Sequence, residues 1–257
     1  MLTVTSAQLL EWVATFVLPL VRILALLGTM SVFGVPVVPA RVKVGLGVCI
    51  AMIVAPTLPP VPAEVLGSWF GIGIVLKEII IGLAMGFATR IAFAAIDFAA
   101  ELISLQMGLG FATFFDPQTA DQTSGVGRFL GVMATLVFLA MNAHLMVIAA
   151  LAESFRAMPI DGALFGSGAA HAMVEAGSAI FSFGLALAMP VVGALLTTNL
   201  ALGILTRAAP QLHLFAVGFP ISLAVGFLLL AMTLPYLTPI LERMFQHGLE
   251  LAMRMMG

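Results

Sequence analysis

Few side chains in this 257-residue sequence could do chemistry, and their spacing does not favour catalysis or metal binding. No two histidines share an i,i+3 or i,i+4 spacing, so the sequence predicts no metal site and no cofactor. Ser167 lies in Gly166-Ser167-Gly168, but no histidine is placed as an obvious base beside it. An intramembrane hydrolase is therefore disfavoured, and we expect a protein that is not an enzyme. The four histidines are His144, His171, His213 and His247.

Five charged residues lie in an otherwise apolar stretch, residues 66–108. Five charges at roughly 2.5–3.5 kcal/mol each cost on the order of 15 kcal/mol in lipid, more than the neighbouring apolar residues offset. This stretch must therefore contact protein, water or a pore. The charged residues are Lys77, Glu78, Arg90, Asp97 and Glu101.

A polar stripe follows from helical spacing within this stretch. At about 100° per residue, Arg90, Asp97, Glu101, Ser104 and Gly108 fall on one helix face. One interpretation is an intrachain ion-pair network that tightens packing. The other is a subunit contact or a channel-lining face.

The segment Gln106-Met-Gly-Leu-Gly-Phe-Ala-Thr-Phe-Phe-Asp-Pro117 follows this stripe. Its glycines loosen the helix end, and Asp116-Pro117 is a stop signal. It is either a helix end packed by three phenylalanines or an apolar plug that closes a pore by excluding water. The plug residues are Met107, Gly108, Gly110, Phe111, Phe114, Phe115, Asp116 and Pro117, within a loop over 106–126.

A second segment, residues 205–220, interrupts another apolar stretch. Arg207 lies at the predicted carboxyl end of a helix, where a positive charge is favourable. Pro210 then breaks the helix. From the residues alone this is a re-entrant turn between two hairpin helices. The turn residues are Arg207, Pro210, Gln211, Phe215, Gly218 and Pro220.

The elements that carry these segments are predicted to be membrane helices. Hydrophobic residues make up 62% of the chain and charged residues 9%, too few to solvate the surface of a soluble domain. The net charge of −2 favours no nucleic acid partner. Apolar stretches cover 23–40, 44–63, 129–152, 176–206 and 208–241, with residues 8–40 as a retained membrane segment. We predict one all-α membrane unit over 1–257, with four prolines that kink or divide its helices: Pro190, Pro220, Pro235 and Pro239.

The two segments resemble the signatures of the FliR family, the FliR/SctT-type export-gate subunits of type III secretion systems. The strings are Gln106–Ala112 with Asp116-Pro117, and Arg207–Leu212 with Phe215 and Gly218–Pro220. Asn142-Ala143-His144-Leu145 is similar to a third family element. The injectisome relatives usually carry Ser-Met-Pro and a nearby lysine where this chain has Gly218-Phe219-Pro220, so the resemblance favours the flagellum.

This resemblance implies kinked helical hairpins, similar to a fusion of FliP-like and FliQ-like elements, in a helical hetero-oligomer. One copy would join several FliP and FliQ subunits, with FlhB and FlhA nearby, in the inner membrane at the flagellar basal body. The 106–126 loop would be the plug of a channel for unfolded flagellar export substrates. The alternatives are an injectisome homologue and a stand-alone secondary transporter. A transporter predicts two related halves, which the sequence does not show.

Overall fold

The computed structural model describes residues 6–59, 69–109, 124–160, 169–209 and 217–256. Helices make up 89% of this described part, which contains no strand, so the predicted all-α class is confirmed. A 3₁₀ turn at Ala55–Thr57 extends α2. The helices are α1 (Ser6–Thr29), α2 (Ala40–Val54), α3 (Trp69–Gln106), α4 (Gly125–Ala140), α5 (Ala143–Ala157), α6 (Ala169–Ala208) and α7 (Phe219–Met256).

Five of the described helices, α1, α2, α3, α6 and α7, are long and apolar enough to cross a membrane. Helices α4 and α5 together form a sixth, broken candidate span, with Asn142 at the break in a left-handed conformation (φ 55°). In α3, 61% of the most apolar window is buried inside the protein, against 22–39% in the other four helices. The chain itself therefore covers more than half of this window and buries Lys77 and Glu78, whereas Arg90, Asp97 and Glu101 remain exposed.

Helices α6 and α7 are not divided at three of the prolines that were expected to kink or divide them, and kinking there stays a prediction. Pro190 lies inside α6, and Pro235 and Pro239 lie inside α7, yet each helix remains a single element. Each proline removes one backbone hydrogen bond, whereas a break in the helix would leave several more backbone groups without partners in apolar surroundings. Continuing the helix through the proline therefore costs less free energy. At 1.5 Å per residue, α6 and α7 measure about 60 Å and 57 Å along their axes.

The chain divides into two compact units, and the boundary runs through α3, α6 and α7 and through the break between α4 and α5. Unit 1 comprises Met1–Ile91, Asn142–Ala176 and Phe245–Gly257. Unit 2 comprises Ala92–Met141 and Gly177–Met244. That residues 1–257 act as one subunit stays a prediction.

Unit 1 is built around a close approach of α1 and α3. A Cβ atom on Gly82 would collide with the carbonyl oxygen of Arg22 and lie 2.7 Å from Cβ of Ala25. A Cβ atom on Gly86 would collide with the side chain of Thr29. The sequence Gly82-Leu-Ala-Met-Gly86 is thus a small-xxx-small motif that brings two helix backbones together.

Unit 2 holds the other half of α3 against α6 and α4. A Cβ atom on Gly184 of α6 would lie 2.7 Å from the carbonyl oxygen of Ala95, so this glycine permits close packing on α3. Phe98 and Phe181 pack edge to face with ring centroids 5.3 Å apart. Such aromatic pairs add to the stability that burial of the rings already provides.

Candidate functional site at the end of α3, with a buried charge cluster in unit 1

The first predicted segment begins where α3 ends, and its local geometry is that of a glycine-terminated helix. Gly108 has φ 83°, a conformation in which glycine has no Cβ penalty. The Leu109 amide donates to the Ser104 carbonyl (3.0 Å) and the Gly108 amide to the Leu105 carbonyl (3.0 Å). These two bonds form a Schellman motif, which satisfies carbonyl groups at the helix end. Met107, between helix and glycine, is fully buried.

The remaining residues predicted for the plug lie outside the described residues, so their role stays a prediction. They are Gly110, Phe111, Phe114, Phe115, Asp116 and Pro117.

The second segment connects α6 and α7. Arg207 is exposed in the last turn of α6, where its charge suits the carboxyl end of the helix dipole. Gly218 is buried immediately before α7, and Pro220 is the second residue of that helix, a position that needs no amide donor. Pro210, Gln211 and Phe215 lie outside the described residues.

The two segments meet at one cavity of about 340 Å³ in unit 2. Met107 and Gly108 line it from the end of α3, Asn199 and Gly203 from α6, and Gly218 and Ser222 from the start of α7. The Ser222 hydroxyl donates to the Asn199 side-chain oxygen (2.9 Å), which joins α6 to α7 beside the cavity. Two motifs about 100 residues apart in sequence thus lie at a single place in the fold.

Ser104 lies apart from the other members of the predicted polar stripe. Its side chain is buried, and its hydroxyl donates to the Ser124 hydroxyl (2.8 Å). Ser124 is the N-cap of α4 and also accepts from the Gly127 amide (3.1 Å). Ser104 therefore connects the two described ends of the 106–126 segment.

The three charged residues of the stripe, Arg90, Asp97 and Glu101, are exposed on α3. They share the exposed side of the helix with large apolar residues such as Leu83 and Leu105. A helix face that mixes exposed apolar and charged residues fits contact with other protein chains better than contact with lipid. Whether this face meets a partner or a pore stays a prediction.

A buried charge cluster in unit 1 is a feature that the sequence did not predict. Arg22 of α1 and Glu78 of α3 are both completely buried. Nε and Nη2 of Arg22 donate to the two carboxylate oxygens of Glu78 at 2.7 and 2.8 Å, a bidentate ion pair. The guanidinium carbon of Arg22 also lies 4.1 Å from the ring centroid of Phe155 in α5.

The same cluster binds the carboxyl end of α5. Nη1 of Arg22 donates to the Ser154 hydroxyl (3.1 Å) and Nη2 to the Met158 carbonyl (2.9 Å). Nζ of Lys77 donates to the Pro159 carbonyl (2.7 Å). Cations from α1 and α3 thus satisfy carbonyl groups where α5 ends, a favourable place for positive charge. The cluster fixes three helices to one another.

A signal for this cluster existed in the sequence but did not identify the pairing. Arg22 interrupts the apolar N-terminal segment, and a lone cation in such a segment predicts a buried partner. Its partner Glu78 is 56 positions away, so no helical spacing relates the two residues. Among the described residues, no group of three or more histidine, cysteine or acidic side chains could hold a metal ion.

Comparison with known proteins defines the class. The family model of bacterial export proteins, family 1, matches residues 13–248, and the chain therefore belongs to this family. It is similar to the flagellar biosynthetic protein FliR of Pectobacterium carotovorum, with 46% identity over 98% of this chain and 96% of the relative. It is also similar to FliR of Escherichia coli (44% identity, 96% and 94% covered) and of Bacillus subtilis (30%, 95% of each). The resemblance to the FliR family is thus confirmed.

Proposed function

We propose that this chain is a non-enzymatic core subunit of the flagellar type III protein-export gate. In this role it helps to form and to close the channel through which unfolded flagellar proteins leave the cell. Its partners are FliP and FliQ in a hetero-oligomer, with FlhB and FlhA beside it, in the inner membrane at the flagellar basal body. Membership of an export family and relatives named for flagellar biosynthesis support this assignment.

One observation carries the proposal furthest: both signature segments line the same cavity, at the end of α3 and the α6–α7 turn. The end of α3 is the root of the 106–126 segment, which we assign as the plug. A Schellman motif and a buried methionine hold this root, so the segment leaves the fold from a fixed point. A plug needs such a point, because an apolar constriction excludes water only when it is held in place.

The subunit role is tested by co-expressing the tagged chain with FliP and FliQ, extracting in mild detergent and recording native mass spectra. We expect one discrete hetero-oligomer that contains a single copy of this chain. The matched control is the same tagged chain expressed without the partners. A monomer or homo-oligomer that ignores FliP and FliQ would contradict the proposal and favour a stand-alone transporter.

The plug role has its own test in the purified gate reconstituted into liposomes. Deleting residues 110–117 leaves the described root intact and removes the phenylalanines and Asp116-Pro117. We expect potassium efflux to rise while the hetero-oligomer keeps its mass. An unchanged ion barrier in an assembled gate would exclude this segment as the plug.

A further inference from the structure

An open groove at one end of the α1–α2 pair combines an acidic side chain with aromatic ones. Its volume is about 350 Å³, within the size range of small-molecule sites. All its lining residues belong to unit 1. Four of them come from α1 and two from the 3₁₀ turn that extends α2. The lining residues are Glu11, Trp12, Thr15, Phe16, Ala55 and Pro56.

The groove lies where both helices reach the end of a candidate membrane span. The span in α1 begins at Glu11, and the span in α2 ends at Thr57. We therefore expect this end of the two spans at the level of the lipid headgroups. Tryptophan is enriched at that level, because its ring is apolar while its N–H is a hydrogen-bond donor. Trp12 is 63% exposed, so its ring is accessible to a ligand there.

The polar atoms of the groove favour a positively charged ligand. The Glu11 carboxylate forms no ion pair among the described residues. No lysine or arginine lines the groove, and none occurs in residues 1–21 or 44–76, which contain the lining residues. The Thr15 hydroxyl donates to the Glu11 carbonyl (2.8 Å), so its acceptor capacity is left for a ligand. An anion in the groove would meet the carboxylate without a compensating cation.

An ammonium group fits this arrangement of acceptors and aromatic surface. It can donate to a carboxylate and a hydroxyl at once, and the face of an indole ring attracts a cation. We propose that the groove binds the primary ammonium of a phosphatidylethanolamine headgroup, with Glu11 as the acceptor and Trp12 as the aromatic surface. The phosphate of the same lipid would point away from Glu11, towards water or the indole N–H. This lipid site is independent of the proposed gate role.

The test is native mass spectrometry of the full chain in mild detergent, with one added phospholipid at a time. With the same acyl chains, phosphatidylethanolamine presents a primary ammonium, phosphatidylcholine a quaternary ammonium and phosphatidylglycerol no cation. We expect the ethanolamine lipid to bind most tightly and the glycerol lipid least, because only a primary ammonium combines positive charge with N–H donors. Equal binding of all three lipids would overturn the site, because it would show contact with acyl chains alone.

Two substitutions test the residues that we assign to the site. Glu11→Gln should lower the affinity for the ethanolamine lipid by about 10-fold, since a neutral hydrogen bond replaces a charge-assisted one. Trp12→Leu should lower it by roughly 2- to 5-fold, as expected for an exposed cation–π contact. The matched control is Glu153→Gln, which removes an exposed carboxylate of α5 and should leave all three affinities unchanged. If Glu11→Gln keeps the full preference for the ethanolamine lipid, Glu11 is not the acceptor and the proposal fails.

A second measurement leaves the groove intact and applies even if a variant fails to fold. The chain has two tryptophans, so Trp69→Phe makes Trp12 the only one. In nanodiscs, acrylamide should quench Trp12 less when the ethanolamine lipid replaces the choline lipid in an otherwise identical mixture. Equal quenching in the two kinds of disc would overturn the headgroup contact.

A basic side chain from another subunit is the competing occupant of the groove. In that case Glu11→Gln would lower the recovery of the hetero-oligomer with FliP and FliQ, while the free chain would show no preference among the lipids. That outcome would replace the lipid site with a protein contact. Loss of the lipid preference with normal recovery of the hetero-oligomer supports the lipid site and leaves the gate role untouched.

Discussion

Replacing Glu78 by glutamine should destabilise unit 1 strongly, because it leaves the buried guanidinium of Arg22 without its counter-charge. Both side chains are completely buried and share a bidentate contact at 2.7 and 2.8 Å. Removal of one partner from a buried pair costs about 3–5 kcal/mol. At 1.4 kcal/mol per factor of ten, the folding equilibrium constant should fall by roughly 10² to 10⁴.

The assay is pulse proteolysis of the full chain in detergent micelles across an SDS titration, which reports the unfolded fraction. Glu153→Gln is the matched control, because Glu153 pairs with Arg156 at 3.2 Å while the two side chains are 52% and 80% exposed. A surface pair of this kind contributes less than about 1 kcal/mol. The double variant Arg22→Met, Glu78→Leu should recover part of the lost stability, because it removes the unpaired guanidinium, while the Met158 carbonyl loses the Arg22 donor and buried Lys77 loses the nearby carboxylate.

Two outcomes would contradict the predicted role of the Arg22–Glu78 pair. If Glu78→Gln shifts the unfolding midpoint no more than Glu153→Gln does, the buried pair does not hold α1 to α3. If the double apolar variant is as unstable as Glu78→Gln, an unpaired guanidinium is not the main cause of the loss.

Two further predictions concern α3. Gly82→Ala should lower the free energy of unfolding by about 1–3 kcal/mol, because its Cβ would collide with backbone atoms of α1. The control Gly131→Ala should leave this free energy unchanged or raise it by about 0.5–1 kcal/mol, because no atom lies within 4 Å of its Cβ. The same titration measures both, and equal responses would argue against close α1–α3 packing. Asp97→Ala and Glu101→Ala should each lower the recovery of the hetero-oligomer with FliP and FliQ in native mass spectra. Normal recovery of both would favour the intrachain alternative for the stripe.

The helices were predictable because burial in a membrane protein leaves a strong compositional signal. Long apolar stretches became helices, and Gly108 ends α3 as its backbone freedom suggested. The predicted membrane segment 8–40 runs through Arg22, as α1 does, but α1 ends at Thr29 and α2 begins at Ala40. A charge ends a span only when it must face lipid, and Arg22 faces a carboxylate instead.

The candidate site was predicted as two separate motifs, and their convergence required three-dimensional information. No local rule relates Gly108 to Gly218, since turn chemistry and helical period act over a few residues only. The burial of Ser104 could not be predicted from helical spacing either. At 100° per residue it lies about 40° from Arg90, at the edge of the stripe, where the neighbouring helix decides which side chains are buried. Ser124 is that neighbour, at the start of α4.

The exposed apolar surface of α3 is longer than a single membrane crossing. Exposed apolar residues lie near both ends of α3, at Ile72 and Leu105, about 50 Å apart along the helix. One crossing of a hydrocarbon layer of about 30 Å takes about 20 helical residues, fewer than separate Ile72 from Leu105. Part of this apolar surface therefore extends beyond a single crossing, and we expect another subunit of the proposed gate to cover it. By mass action, the survival of an orphan copy in the cell would then follow the supply of its partners, so cells would couple the amounts of these subunits.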